Sequence, residues 1–306
     1  MADNGLDARM APSGTSANFS VWGGGVIPTG YHHDEYIDQE YPMPAETCNS
    51  DGEYYLTNLC AGTFGFGSDA RFHHAFDNGY AVQLESLFDY HGELDSDDDS
   101  PDEFSIYGAA AGHLIRRAGA TAVGVFAGVS ATAMLDQEER AVHAMVGGEA
   151  ASFQDTKTFF GQAGYVGAIA GEDQVNDLVF ARGGIRFFND PNSRLETAFA
   201  GGYTATGERT AIGEGLIWLQ ATANFEKKFD DNPFSVYVGY QGDYVATPER
   251  YADEYERDRH AFIHTAKIGL RMAIGGNDTL QGQDNNGART FDLTNLRAPL
   301  SYPDQM

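Results

Sequence analysis

Twelve segments in which the side-chain character alternates from one residue to the next dominate this chain of 306 residues. Each is roughly ten to fourteen residues long, and none shows a convincing 3.6-residue repeat, so the period is that of a strand rather than a helix. The predicted strands are 17–28, 54–66, 79–90, 104–116, 119–131, 141–152, 157–170, 177–188, 194–205, 212–226, 234–246 and 261–275. The pattern therefore predicts an all-β protein.

The connections between these segments are of two alternating kinds. One set is long and acidic: HGELDSDDDSPDEF holds seven acidic residues and no Lys or Arg. The other set is mostly tight, as in RRAG near 116–119 and FDDNPF at 229–234, with 67–79 as a longer member. Long loops at one end, short turns at the other and an even strand number are typical of an up-and-down antiparallel β-barrel.

The predicted last strand, AFIHTAKIGLRMAIGG from Ala261 to Gly276, has two unlike faces. One carries apolar residues such as Phe262 and Ile268, and the other carries Lys267 and Arg271. A soluble barrel would bury the apolar face, whereas a membrane barrel would turn it to lipid. Strands of soluble sheets have about five or six residues, but a tilted membrane strand needs about nine to eleven. The lengths, and aromatic residues gathered at both strand ends, favour a transmembrane barrel over a soluble one.

The composition excludes several other classes of protein. A formal charge of −26 argues against nucleic-acid binding, because phosphate recognition needs a basic face. The least polar long stretch, Ala118 to Met134, is mostly Ala, Gly, Ser and Thr, too weakly hydrophobic for a membrane helix. The start, MADNGLDARMAPSGTS, has no apolar core of a signal peptide. The sequence gives no reason to expect a cofactor or a metal centre.

A short motif in the last predicted strand, KIGLRMAI, resembles the signal that the outer-membrane assembly machinery recognises. That pattern is a polar residue, a glycine two positions later and two hydrophobic residues separated by one, filled here by Lys267, Gly269, Met272 and Ile274. With the twelve-strand architecture, the chain resembles Gram-negative outer-membrane β-barrel proteins as a class. The resemblance implies the bacterial outer membrane as location, with membrane lipid and the assembly machinery as partners. The strand pattern places the barrel at 17–275, after an N-terminal segment of 1–16. Outer-membrane barrels often end at this strand, whereas this chain continues, and we expect 276–306 to be a flexible tail on the periplasmic side.

Charged residues on the predicted inner face are the candidate functional residues. These candidate pore-lining residues are Glu85, Glu149, Arg182, Arg186, Glu196, Glu214, Glu226, Lys267 and Arg271. In one interpretation they determine the electric field inside a pore for small hydrophilic solutes or ions. In the other they pair and fill a narrow lumen, giving a closed structural or surface barrel. The parity of RFFNDPNSRLE predicts a cross-strand ion pair between Arg186 and Glu196.

Several further expectations concern the loops, the tail and catalysis. The acidic loops could bind partners or divalent cations, or could be a solvated surface. Cys48 and Cys60 are a candidate disulfide. A barrel lipase or protease is a third hypothesis, with His113 or His143 as base and Ser86, Ser105 or Ser130 as nucleophile. No familiar motif supports it, and we expect no enzyme. The solute, the oligomeric state and whether the tail plugs the lumen stay open.

Overall fold

The computed structural model describes residues 14–32, 63–93, 104–134, 140–170, 177–204, 215–247, 259–275, 279–286 and 291–301. The strands are β1 (Gly14–His32), β2 (Thr63–Ala75), β3 (Tyr80–Glu93), β4 (Phe104–Ala118), β5 (Thr121–Met134), β6 (Arg140–Phe153), β7 (Lys157–Ala170), β8 (Asp177–Asp190), β9 (Ser193–Thr204), β10 (Ile217–Lys228), β11 (Phe234–Thr247) and β12 (Arg259–Ile274). Two short helices follow, α1 (Leu280–Asn286) and α2 (Arg297–Ser301). Within the described ranges no helix is both long and apolar enough to cross a membrane.

The twelve strands form one closed antiparallel barrel in which each strand pairs with its neighbours in sequence. β1 closes the barrel against β12, with Val21 opposite Leu270 in the register. Closure leaves no strand edge, so every strand has a hydrogen-bonding neighbour on both sides. The predicted up-and-down barrel is confirmed.

The outer surface of the barrel is apolar, and the charged side chains lie inside. Phe199 is 72% exposed, Val179 62% and Ile268 60%, whereas Arg186 is fully buried. An apolar outer face is unfavourable in water but favourable in the hydrocarbon region of a bilayer. This is the arrangement of a transmembrane barrel, and the inner and outer faces are those assigned from strand parity.

The sequence places most strands well but misplaces the second. β7 is found where it is predicted, at Lys157–Ala170. The second strand, predicted over 54–66, is found at Thr63–Ala75. The turn between it and β3 needs only a few residues around Gly79, whose φ is +80°. The polar stretch SDARFHH is strand rather than connection, because Arg71 and His73 face a polar lumen and need no solvent.

The C-terminal tail is also unlike its prediction. Residues 279–286 and 291–301 are not a flexible tail outside the barrel: Leu280, Phe291 and Leu296 are each no more than 1% exposed. The α1 end lies at the short turns, where the backbone N–H of Gln281 donates to the carbonyl of Pro191 at 3.1 Å. The described tail residues, 279–286 and 291–301, lie in the lumen and are hereafter called the plug. Their second helix, α2, contacts β5 and β11.

β12 carries the predicted assembly motif in the expected phase. Met272 and Ile274 are on the outer face, Ile274 being 53% exposed, and Lys267 is on the inner face. Recognition of this strand by the assembly machinery stays a prediction. Gly269 has a packing reason of its own: a Cβ there would overlap the aromatic ring of Tyr237.

Replacing Gly269 by alanine should destabilise the barrel by about 1–3 kcal/mol, the usual range for overpacking. The added methyl group would meet the Tyr237 ring and lie 2.5 Å from the Val21 carbonyl oxygen, a backbone atom that cannot swing away. The measurement is urea unfolding of protein refolded in lipid vesicles without any assembly factor, so that only packing is tested.

The matched control is Gly25→Ala on β1, where a Cβ meets no heavy atom within 4 Å. We expect its unfolding midpoint to stay at the wild-type value. Equal stability of the two variants would contradict the packing role of Gly269.

Candidate functional site in the barrel lumen

The structure turns every described candidate pore-lining residue toward the lumen. These are Glu85, Glu149, Arg182, Arg186, Glu196, Glu226, Lys267 and Arg271. The ninth candidate, Glu214, lies outside the described residues, as do Cys48, Cys60 and most of the acidic loops. Lining a working pore stays a prediction for all of them.

Arg186 on β8 is the centre of the lumen electrostatics. Its Nε donates to Glu196 Oε2 at 2.9 Å, which confirms the predicted cross-strand ion pair. Its Nη1 and Nη2 donate to two carboxylates of the plug, Asp284 Oδ1 at 2.6 Å and Asp292 Oδ2 at 3.0 Å. The guanidinium also lies 4.4 Å from the centroid of the Phe160 ring. One arginine of the wall therefore binds two carboxylates of the plug, Asp284 and Asp292.

Arg71 on β2 binds the plug from another part of the wall. Its Nη1 forms an ion pair with Asp292 Oδ1, and its Nε donates to Glu85 Oε1 at 3.0 Å. Burial alone would raise the pKa of Asp292, but the guanidinium groups of Arg71 and Arg186 hold that pKa well below its usual range. The plug therefore presents an anion to the wall at neutral pH.

A chain of ion pairs continues from this contact around the wall. Arg194 lies 3.6 Å from Glu196 and 3.2 Å from Glu226. Arg271 then pairs with Glu226 at 2.7 Å and with Asp69 at 3.5 Å. Charge-assisted pairs that share partners in this way hold one another in place.

A second polar group lies beside the network. His113 Nδ1 is 3.0 Å from Glu149 Oε1, and Gln162 Nε2 donates to Glu149 Oε2 at 3.0 Å. Thr294 of the plug donates to Gln162 Oε1 at 3.0 Å, and Glu85 lies 3.7 Å from the other His113 nitrogen. The plug is thus bound to the wall on several sides.

The upper part of the plug is held by apolar contacts. Leu293, Leu296 and Leu300 belong to a buried cluster with side chains of the wall, and Asn295 Nδ2 donates to Asp89 Oδ2 at 2.7 Å. The wall members of the cluster include Tyr107, Phe126, Phe180, Trp218 and Val245. Burying such side chains is favourable by roughly 1.5–3 kcal/mol each.

Sequence reasoning missed five charged members of the arginine ion-pair network. Asp69 and Arg71 fall in the stretch taken for a connection, and Arg194 stands at the first residue of a predicted strand. Asp284 and Asp292 fall in the stretch taken for a flexible tail. The strict alternation in SDARFH was a signal that could have found Asp69 and Arg71, because both continue the inner-face parity of β2.

The whole barrel is similar to an outer-membrane channel from Pseudomonas putida F1, with 11% sequence identity, a TM-score of 0.56 and coverage of 90% of this chain and 100% of that one. The fold is that of an outer-membrane β-barrel. Weaker similarities include the translocator domain of the autotransporter NalP from Neisseria meningitidis (10% identity, TM-score 0.45, 85% and 88% covered) and the KdgM porin (9%, 0.38, 81% and 98%). No protein-family model and no curated protein matches the sequence.

This outer-membrane barrel retains a small space beside the plug. The cavity has a volume of about 120 Å³ and is lined by wall residues such as Arg194 and Lys267 together with Asp292 and Asn295 of the plug. That volume suits a few water molecules. In the described conformation, Asp292 and Asn295 of the plug therefore form one side of this space.

The hypothesis of a barrel enzyme gains little from the positions of its candidate groups. Ser86 is on the outer face of β3, and His113 bonds Glu149 rather than a serine. His143 lies opposite Ser130 across β5 and β6, with both side chains buried. That the protein is not an enzyme stays a prediction.

Proposed function

We propose that this protein is an outer-membrane channel for small hydrophilic solutes or ions, and that the described conformation is its closed state. The observation that supports the proposal most is the wall behind the plug, which is charged rather than apolar. A barrel that served only as a rigid anchor could fill its lumen with apolar side chains. Buried ion pairs are often no more stabilising than apolar packing, so their presence here supports a functional role. The long-loop end would face the cell exterior and the short-turn end the periplasm.

The closed structural barrel is the second candidate, and the plug is what favours it. Arg186 and Arg71 bind the plug carboxylates, and three leucines of the plug are packed in the wall cluster. In that case the acidic loops would be the functional surface, binding partners or divalent cations. Conduction separates the two candidates.

Single-channel recording of the full-length protein in a planar bilayer, with a salt gradient, tests the proposal. We expect long closures and brief openings whose reversal potential moves toward cation preference in Arg182→Ala and in Lys267→Ala, since each change removes a positive charge from the lumen. Lys227→Ala is the matched control, because Lys227 is exposed at the short-turn end beside Asp190 and outside the lumen. Insertion without openings, in the full-length protein and in the truncated protein discussed below, would favour the closed structural barrel.

A further inference from the structure

The plug carboxylates lie in an arrangement of arginines that is typical of a binding site for anions. A guanidinium presents its donors in a planar fork that matches carboxylates, and here two arginines from distant strands meet at one plug residue. Arg186 reaches Asp292 at 3.0 Å, Arg71 pairs with the other oxygen of the same carboxylate, and Arg182 Nη1 lies 3.5 Å from the Asp292 carbonyl oxygen. Asp284, held by Arg186 at 2.6 Å, also accepts a hydrogen bond from Thr158 Oγ1 at 2.6 Å.

The arginine ion pairs of the wall explain why the site favours an anion. In the described part of the chain, these ion pairs join five arginines to four carboxylates of the wall. The arginines are Arg71, Arg182, Arg186, Arg194 and Arg271, and the carboxylates are Asp69, Glu85, Glu196 and Glu226. The plug adds Asp284 and Asp292 to these pairs, so two of the six carboxylates belong to the plug. Because removing a partner from a buried charge is costly, an anion that replaces Asp284 and Asp292 beside Arg71 and Arg186 is favoured.

The spacing of the two plug carboxylates indicates what that anion would be. Both are held by one guanidinium, Asp284 at Nη1 and Asp292 at Nη2, so they lie a short distance apart on one side of Arg186. Two carboxylates on a short carbon chain would match this arrangement, with Arg71 completing the second one. A monocarboxylate would satisfy only half of it.

We infer that Arg71 and Arg186 form a dicarboxylate site of the lumen wall, that Asp284 and Asp292 occupy this site as an internal ligand, and that small dicarboxylates compete with the plug for it. The inference deepens the proposed function and rests on it, since a solute must be able to enter the lumen. Binding of the solute would then favour release of the plug.

The chain contains a natural reporter of the plug's position. Its two tryptophans are Trp22 and Trp218, and Trp218 is fully buried in the apolar cluster that contains Leu293 and Leu296. In a Trp22→Phe background, displacement of the plug would expose Trp218 to water and shift its emission to longer wavelength. The shift can be followed in full-length protein refolded in detergent.

The test is a titration of this protein with succinate, using acetate at matched ionic strength as the comparison. We expect a saturable emission shift with succinate and none with acetate. Asp292→Asn weakens the internal ligand alone, so the half-saturating succinate concentration should fall about tenfold, the usual effect of losing a hydrogen bond between charged groups. Equal shifts with both salts, or no shift with either, would overturn the inference, because screening or an unmoved plug would then explain the data.

Arg71 is tested in the Asp292→Asn background, where residue 292 no longer offers it a carboxylate. Adding Arg71→Gln there should raise the half-saturating concentration about tenfold. Adding Lys267→Gln should leave it unchanged, because Lys267 is a lumen cation that interacts with Asp89 and Asp69 of the wall rather than with Asp292. An equal rise in both variants would mean that any lumen cation attracts succinate, and the site would be rejected.

The dicarboxylate site and the channel can each be rejected without rejecting the other. A saturable succinate shift in a protein that never conducts would support the site and reject the channel. Conduction that is insensitive to succinate, with no shift of Trp218 emission, would support the channel and reject the site.

Discussion

Deletion of residues 276–306 should produce steady ionic conduction where the full-length protein shows long closures. The deletion removes α1, α2 and the segment between them, and with them Asp284, Asp292 and the leucines that fill the lumen. A barrel of twelve strands is intermediate between small barrels filled by side chains and larger open ones, so removing an internal segment should leave a water-filled passage. Arg71 and Arg186 then face the passage without Asp284 and Asp292, and the ion selectivity should move toward anions in comparison with the openings of the full-length protein. Planar-bilayer recording in a salt gradient measures both properties.

Deletion of residues 302–306 alone is the control, because it shortens the chain but leaves α1 and α2 in place. We expect its recordings to match those of the full-length protein. Both truncated proteins must first show the heat-dependent gel shift of a folded barrel. A folded protein without residues 276–306 that inserts and stays closed would mean that the wall itself blocks the lumen, and the channel proposal would fail.

The architecture was predictable because the barrel is built from local signals. Alternation of side chains sets each strand, and the turn residues between strands set the antiparallel order. The inner face was predictable too: the parity of a hairpin is enough to place Arg186 opposite Glu196. Strand length separated the membrane barrel from a soluble one, because length reports the thickness to be crossed.

The second strand was missed because polarity was taken as a sign of solvent. In a soluble sheet, a stretch such as GSDARFHHAFDNG is a reasonable loop. In a barrel with a polar lumen, Asp69 and Arg71 find buried partners inside, and only the outward residues, such as Phe72, need to be apolar. The turn signal itself, DNG, is confined to the end of that stretch.

The plug could not be predicted from local pattern, because its partners are far away in the sequence. Asp292 pairs with Arg71, which is 221 residues earlier in the chain, and Asp284 pairs with Arg186. A stretch with many Gly, Asn and Asp and no periodicity is typical of flexible chain when it stands alone. Here its order comes from the wall, because Arg71 and Arg186 bind its carboxylates and the apolar cluster buries its leucines.

Replacement of Arg186 by glutamine should destabilise the folded barrel by about 3–5 kcal/mol, the usual cost of breaking a buried ion pair from one side. The side chain is fully buried, and its loss leaves Glu196, Asp284 and Asp292 with less positive charge around them. The measurement is urea unfolding of the protein refolded in lipid vesicles. Lys227→Gln is the control: its partner Asp190 is exposed at a turn, so the unfolding midpoint should move little.

A second substitution separates the charge of Arg186 from its volume. If uncompensated carboxylates cause the loss, Asp284→Asn should cost less in the Arg186→Gln background than in the wild-type protein, and it could restore part of the stability. If the loss comes only from a cavity left by the shorter side chain, the two changes should simply add. The frequency of channel openings gives a further measurement. The Arg186→Gln barrel should conduct more often than the wild-type protein, because the charge of Arg186 that stabilises the fold also binds the plug in the lumen. Additive stabilities together with unchanged closures would contradict this account of Arg186.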